Sequence, residues 1–154
     1  MERLKMLREY IDEELNQLPE DRRISAAAHL YGVSLAATIL AKKRGLNHEH
    51  AAMAGMLHDL HAYKTDTYEN HAHLGAGLAQ NILEKLDLTD LEETDIICSA
   101  IYHHDDKYSV DSPMDELLKD ADVIDHCFKD LSKPVKEKEQ ARFNKLCEEL
   151  GLLK

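Results

Sequence analysis

The sequence predicts an all-α protein of six or seven helices in a single domain. The chain has 154 residues, which lies within the usual size range of one domain. Apolar residues make up 44% and aromatic residues only 5%, and the chain is rich in the strong helix formers Ala, Leu, Glu and Lys. No stretch alternates between apolar and polar residues as a strand does, whereas Leu and Ile recur at helical spacing. Together these observations favour a helical bundle.

Apolar periodicity and the residues that start or stop helices divide the chain into predicted segments. The segments are 1–17, 24–44, 47–58, 68–85 or 71–85, 89–101, 112–128 and 134–150. The first and last are amphipathic, and they flank a predicted domain core of about residues 24–128. Each terminal helix has an amphipathic face, so whether these helices form a homodimer contact stays an open question.

The joints between the first helices have recognisable signals. Pro19 and the polar run PEDRR are predicted to end the first helix. The second closes with three cations, Lys42 to Arg44, and Gly45 follows just outside it. Asn47 is suited to cap the third helix, and residues 60–70 are predicted to be irregular.

The later joints are also marked. Thr89 to Glu92 has the form of a capping box and predicts a helix through Ile101. Residues 103–112 are predicted to form a loop. Ser112-Pro113 predicts the next helix start, because proline suits the first helical position. Pro134 is predicted to start the last helix, which Gly151 ends.

Charge and cysteine content restrict the function classes. A net charge of −11 argues against binding a nucleic acid polymer, which requires a basic surface, but a bound metal can still attract a small anion. The three cysteines are widely spaced without a CxxC motif, which is typical of reduced thiols. We find no run of about 20 apolar residues. The expectation is a cytoplasmic protein with no membrane partner.

The ten histidines are the unusual feature of the composition. His-Asp pairs occur twice, at His58-Asp59 and His104-Asp105, and chance alone predicts about one. Only the first pair directly follows a small, apolar segment, AAMAGML. Polar groups at the end of a buried helix need partners, because burying them unpaired is costly. Metal coordination is one way to supply those partners.

Two more polar residues interrupt apolar stripes. His29 shares a helix face with Val33 and Leu40, and Asp122 lies within LLKDADVID. A lone histidine in such a place is more often a hydrogen-bonded core residue, and Asp122 can equally cap a helix or pair with a lysine. A His, a His-Asp pair and an Asp on three separate helices together favour a metal site.

This ordered set resembles the HD superfamily of metal-dependent phosphohydrolases. The segments that carry the resemblance are HLYGVSLAATILAKKRG, AAMAGMLHDL and LLKDADVID. HAHLGA (71–76) and AIYHH (100–104) further resemble elements of HD proteins with two metals. These include bacterial proteins that cleave dinucleoside tetraphosphates and, more loosely, cyclic-dinucleotide phosphodiesterases. The resemblance implies an HD-domain helical bundle.

The resemblance also implies a ligand set and a chemistry. The first metal would be bound by His29, His58, Asp59 and Asp122, and the second by His71 and His104, with Asp59 bridging. Such imidazole and carboxylate ligands suit Fe, Mn, Zn, Co or Ni, as one or two divalent ions per chain. The implied reaction is hydrolysis, by metal-activated water, of a small phosphorylated substrate such as a nucleotide.

The catalytic residues implied are Asp59 and Lys64. Lys64 is five residues after Asp59, whereas the family commonly has a lysine three residues after the Asp or closer, and a solvated loop lysine fits equally well. His104 is preferred over His103 as a ligand because it fits the family spacing.

Two other functions stay open at this point. One is a di-iron oxygenase of the HD type. The other is a metal- or ligand-sensing HD module without turnover. The roles of three further histidines near the predicted site also stay open: His61, His73 and His126.

Overall fold

The structure is a computed structural model that describes residues 2–152, and this part of the chain contains helices and no strands. The all-α prediction is confirmed. The α-helices are α1 (Glu2–Leu15), α2 (Glu20–Arg44), α3 (His48–Leu57), α4 (Leu60–Thr65), α5 (His71–Lys85), α6 (Leu91–His103), α7 (Pro113–Phe128) and α8 (Gln140–Glu149). A short 3-10 turn, Glu137–Glu139, precedes α8.

The central helix is α2, which packs mainly against α3 and α7. The backbones of α2 and α3 approach closely at Gly55, where a Cβ atom would lie 2.6 Å from the Cα of Ser34. The hydroxyl of Ser34 donates a hydrogen bond to the carbonyl of Ala52 at 3.0 Å in the same contact. This close crossing brings the end of α3 against the middle of α2.

By length and composition α2 is apolar enough to cross a membrane, with a mean hydropathy of 1.6 over its best 18 residues. The expectation that no segment reaches this apolar length is therefore wrong for α2. Half of that window is buried inside the protein, and buried core helices have the same composition. Its packing against α3 and α7 accounts for the apolar sequence.

Several predicted caps are confirmed. The side chain of Asn47 accepts hydrogen bonds from the backbone N–H groups of Glu49 and His50 at the start of α3. Ser112 caps α7, with Pro113 in its first turn. Gly45 adopts a left-handed conformation, with φ of 69°, directly after α2.

Other predicted boundaries need correction. The polar run after Pro19 begins α2 rather than ending α1, because Glu20 and Asp21 favour the positive end of the helix dipole. Residues 60–70 are not all irregular, since α4 buries Leu60 and Ala62.

Two corrections fall in the second half of the chain. The capping box of α6 is formed by Asp90 and Glu93, one residue later than predicted. Pro134 does not start the last helix: residues 129–136 are irregular, and α8 begins only at Gln140.

Candidate metal centre

The six predicted metal ligands converge in one buried cluster. They are His29 on α2, His58 and Asp59 between α3 and α4, His71 at the start of α5, His104 just after α6, and Asp122 on α7. Each is at most 8% exposed. Four of them stand at helix ends, where the backbone turns and directs side chains inward from different helices.

One half of the cluster is a first candidate metal position. The Nε2 atom of His29 lies 3.0 Å from His58 Nε2, 3.1 Å from Asp59 Oδ2 and 3.5 Å from Asp122 Oδ1. His58 Nε2 lies 3.5 Å from each of the same two carboxylate oxygens. Ligand atoms about 2.1 Å from one ion lie about 3.0 to 3.4 Å apart in octahedral or tetrahedral coordination. The observed spacings fit that range closely.

The other half is a second candidate position. The Oδ1 atom of Asp59 lies 3.1 Å from His104 Nε2 and 3.4 Å from His71 Nε2. Asp59 therefore directs one carboxylate oxygen to each position. A single carboxylate placed in this way is suited to bridge two cations.

The tautomers of three histidines agree with metal binding. His58, His71 and His104 each have Nδ1 within hydrogen-bond distance of the backbone carbonyl three residues earlier. The acceptors are the carbonyls of Gly55, Tyr68 and Ile101, at 2.7, 2.8 and 2.6 Å. A carbonyl only accepts, so Nδ1 carries a proton and Nε2 is the nitrogen that faces the cluster, where it can bind a metal once it is unprotonated.

His29 is oriented by Asp125, whose Oδ2 lies 2.7 Å from Nδ1. Gly32 makes room for this carboxylate, since a Cβ atom there would lie 2.1 Å from Asp125 Oδ1. Burial alone would lower the pKa of His29, but hydrogen bonds to Asp125 and Asp59 raise the pKa to about 9. A metal bound at His29 Nε2 has to displace that proton.

The two central carboxylates are held in the charged form. Burial alone would raise the pKa of Asp59, but His58, His104 and His29 hold it well below its usual value. For Asp122, burial is likewise outweighed, chiefly by Lys107, and its pKa is also well below the usual value. Deprotonated carboxylates are the form that binds metal.

An unpaired buried atom is the clearest sign that the cluster fits a metal. Asp122 Oδ1 is buried and accepts no hydrogen bond. An unsatisfied buried carboxylate oxygen is costly, and a cation shared with the imidazoles would satisfy it. The residues present therefore fit one or two divalent ions.

Lys64 is not brought into the cluster. It lies on α4, and its ammonium pairs with Glu14 of α1 on the outer side of the fold. The buried cation at the cluster is Lys107 instead, whose Nζ donates to Asp122 Oδ2 at 2.8 Å and to the carbonyl of His104 at 2.6 Å. Lys107 was missed because it lies in a polar loop that shows no periodicity.

Three further histidines lie in different parts of the structure. His103 lies outside the cluster, with Nδ1 2.9 Å from the Ser99 carbonyl and 3.1 Å from Asp115. His73 stacks on Tyr102, with ring centroids 3.9 Å apart. His126, by contrast, lines the pocket above the cluster. It lies one helical turn after Asp122, a spacing from which a shared helix face can be predicted.

The comparison with known families agrees with this geometry. The family model for the HD domain matches residues 26–128, a segment that contains all six clustered residues. The resemblance drawn from the ordered motifs is confirmed. HD domains typically bind divalent metals. No curated protein and no solved structure matches the chain.

Proposed function

Since the chain belongs to the HD domain family, which includes metal-dependent hydrolases, we propose that it hydrolyses phosphate esters or anhydrides of a small molecule such as a nucleotide. The observation that carries the proposal is the placement of Asp59 between two groups of imidazole Nε2 atoms. Two metal positions sharing one carboxylate are the arrangement of many phosphoryl-transfer enzymes.

Bound divalent ions would supply Lewis acidity and a water of lowered pKa. The chain's own residues hold those ions and set the charge around them. The positive charge of Lys107 balances the negative charge of Asp122. The backbone carbonyls that bind the histidine Nδ1 atoms orient the Nε2 atoms toward the centre of the cluster. Burial and the neighbouring Tyr68 raise the pKa of Tyr63 further above neutral, so its hydroxyl keeps its proton and can donate a hydrogen bond.

A pocket of about 610 Å³ opens over the cluster, a size suited to a small molecule. His29, Asp59 and Asp122 line its inner end. The aromatic rings of Tyr63 and Tyr68 also line it. A nucleotide-sized ligand with its phosphate toward Asp59 is therefore compatible with the pocket.

Lysines line this pocket in a protein of net charge −11, and three of them form ion pairs with acids of the same lining. Four lysines line it: Lys129, Lys133, Lys136 and Lys138. Six acids also line the pocket, so the lining is acidic without metal, and two divalent ions make it net positive. An anionic substrate is favoured once metal is bound.

Partners and location follow as part of the same proposal. The substrate is a small diffusible phosphate compound, and the protein needs no nucleic acid polymer or membrane. The three cysteines are free thiols, which agrees with a reducing, cytoplasmic location.

The test is phosphate release from a panel of nucleotides and phosphate monoesters by protein loaded with Mn²⁺, Fe²⁺ or Co²⁺. Asp59→Asn is expected to lose about 10²-fold or more in rate, because it removes the bridging charge. Asp106→Asn, an exposed acid in the neighbouring loop, is the matched control.

Oxygen uptake measured in parallel separates the alternatives. Consumption of O₂ by the iron form without phosphate release would replace hydrolysis with an oxygenase. Tight metal binding with neither reaction across the panel would favour a sensing module.

A further inference from the structure

His126 stands beside the first metal position although it is outside the six predicted ligands. It lies on α7, and its Nε2 is 3.3 Å from Asp122 Oδ1. Its ring stacks on that of His29, with centroids 5.2 Å apart and planes 5° apart. The side chain is 32% exposed, so it reaches the cluster from the pocket side.

A buried acid orients this histidine. Nδ1 of His126 lies 2.7 Å from Glu139 Oε1, and Glu139 is only 1% exposed. A carboxylate accepts, so Nδ1 donates and Nε2 is directed at Asp122. Glu139 belongs to the 3-10 turn before α8, and this contact ties that turn to the cluster.

The arrangement repeats that of His29 with Asp125. Both imidazoles have a carboxylate at Nδ1, at 2.7 Å in each case. Both place Nε2 close to Asp122 Oδ1, at 3.5 Å for His29 and 3.3 Å for His126. Histidines that ligate metals almost always have an oriented second nitrogen of this kind.

Asp122 Oδ1 lies close to the Nε2 atoms of both histidines. It accepts no hydrogen bond, although Nε2 atoms of His29, His58 and His126 lie within 3.3 to 3.5 Å of it. These are the spacings of ligands around one ion rather than of hydrogen-bonded pairs, which lie closer. His29, Asp122 and His126 also have ligand atoms within 4.8 Å of one another.

We propose that His126 is a fifth protein donor to the metal at the first position, and that Glu139 is the positioning residue that holds it there. This inference rests on the proposed metal centre but not on hydrolysis. Three imidazoles and two carboxylates exceed the four ligands of tetrahedral Zn²⁺. The first position therefore prefers an ion of higher coordination number, such as Fe²⁺, Mn²⁺, Co²⁺ or Ni²⁺.

The test measures metal affinity by competition with a chelator, in the full-length protein and without substrate. His126→Ala is expected to weaken Mn²⁺ and Co²⁺ binding at the first position by about tenfold to a hundredfold, and Zn²⁺ binding by less. Glu139→Gln keeps the imidazole and is expected to weaken Mn²⁺ and Co²⁺ binding by about tenfold. His73→Gln, a histidine outside the cluster, is the control.

The visible spectrum of the Co²⁺ protein gives a second readout that packing alone would not change. Loss of a donor in His126→Ala is expected to alter the absorption intensity, because intensity depends on coordination number. Unchanged Co²⁺ affinity and spectrum in a folded His126→Ala protein, verified by circular dichroism, would overturn the inference.

His58→Ala separates this inference from the proposed function. If His58→Ala abolishes binding at the first position while His126→Ala leaves it unchanged, the metal centre stands and His126 is not a ligand. If His126→Ala weakens binding but no phosphate compound is cleaved, the ligand assignment stands without the hydrolase.

Discussion

Two clusters of charged residues contact the loop that follows α6. At the metal centre, imidazole nitrogens face one another, as His29 Nε2 and His58 Nε2 do at 3.0 Å, and one carboxylate oxygen has no hydrogen bond. At the second cluster, the fully buried Lys119 donates to the Ser109 carbonyl at 2.8 Å and to Asp111 at 2.6 Å. Its ammonium also lies 3.0 Å from Glu116.

The difference is in how completely the groups satisfy one another. The Lys119 ammonium donates two hydrogen bonds and forms an ion pair with a third oxygen within the protein, so its charge is balanced without an added ion. The metal centre brings several imidazole Nε2 atoms and two carboxylates together and leaves Asp122 Oδ1 without a hydrogen bond, an arrangement that cations would complete. Buried charge alone therefore does not identify a functional site. A cluster of potential metal ligands whose atoms do not all satisfy one another does.

The largest expected effect is that of metal on stability. At a free metal concentration about 1,000 times the dissociation constant, the free energy of unfolding should rise by about 4 kcal/mol for each occupied position. The measurement is urea unfolding with Mn²⁺ and with a chelator. Equal stability in both conditions would remove the distinction between the two clusters.

Lys119→Ala is expected to lower the free energy of unfolding by about 3 kcal/mol, because it leaves a buried ion-pair network without its cation. We expect the low end of the range for buried pairs, since Asp111 and Glu116 are partly exposed and stay hydrated. Urea unfolding measures the loss. The increment produced by metal should equal that of the wild type, and a smaller increment would mean that the clusters are coupled.

Asp125→Asn is expected to weaken metal binding at the first position by about 10- to 100-fold, because the carboxylate that orients His29 is lost. Chelator competition gives the affinity, and Asp130→Asn, on the pocket wall, serves as the control. An equal loss at the second position would show that Asp125 supports the fold rather than His29.

Lys64→Ala should have the smallest effect. Its partly exposed ion pair with Glu14 contributes at most about 1 kcal/mol, and neither metal content nor phosphate release should change. A tenfold loss of hydrolysis in this variant would support the catalytic role that the sequence resemblance implies.

The sequence was informative where the signal is local. The caps at Asn47 and Ser112 were predictable because a cap is formed by residues two to three positions apart. The convergence of the six ligands was expected only from their order along the chain and the family resemblance. No local rule places His71 beside Asp59.

The contacts that were missed join irregular segments to helices. Lys107 and Asp122 are 15 residues apart, and His126 and Glu139 are 13 apart. Lys107 lies in a loop without periodicity, and Glu139 lies in a 3-10 turn within the segment that was predicted as the last helix. The direction of Lys64 depends on how α4 is rotated against α1, which residue spacing after the His-Asp pair does not specify.

The central claim is that Asp59 joins two metal positions, and metal content per chain tests it most directly. Wild-type protein reconstituted with Mn²⁺ or Co²⁺ and freed of excess metal should hold two ions per chain. His71→Gln/His104→Gln should hold one, and Asp59→Ala fewer than one. One ion or fewer per wild-type chain, or the same content in Asp59→Ala as in the wild type, would contradict the account.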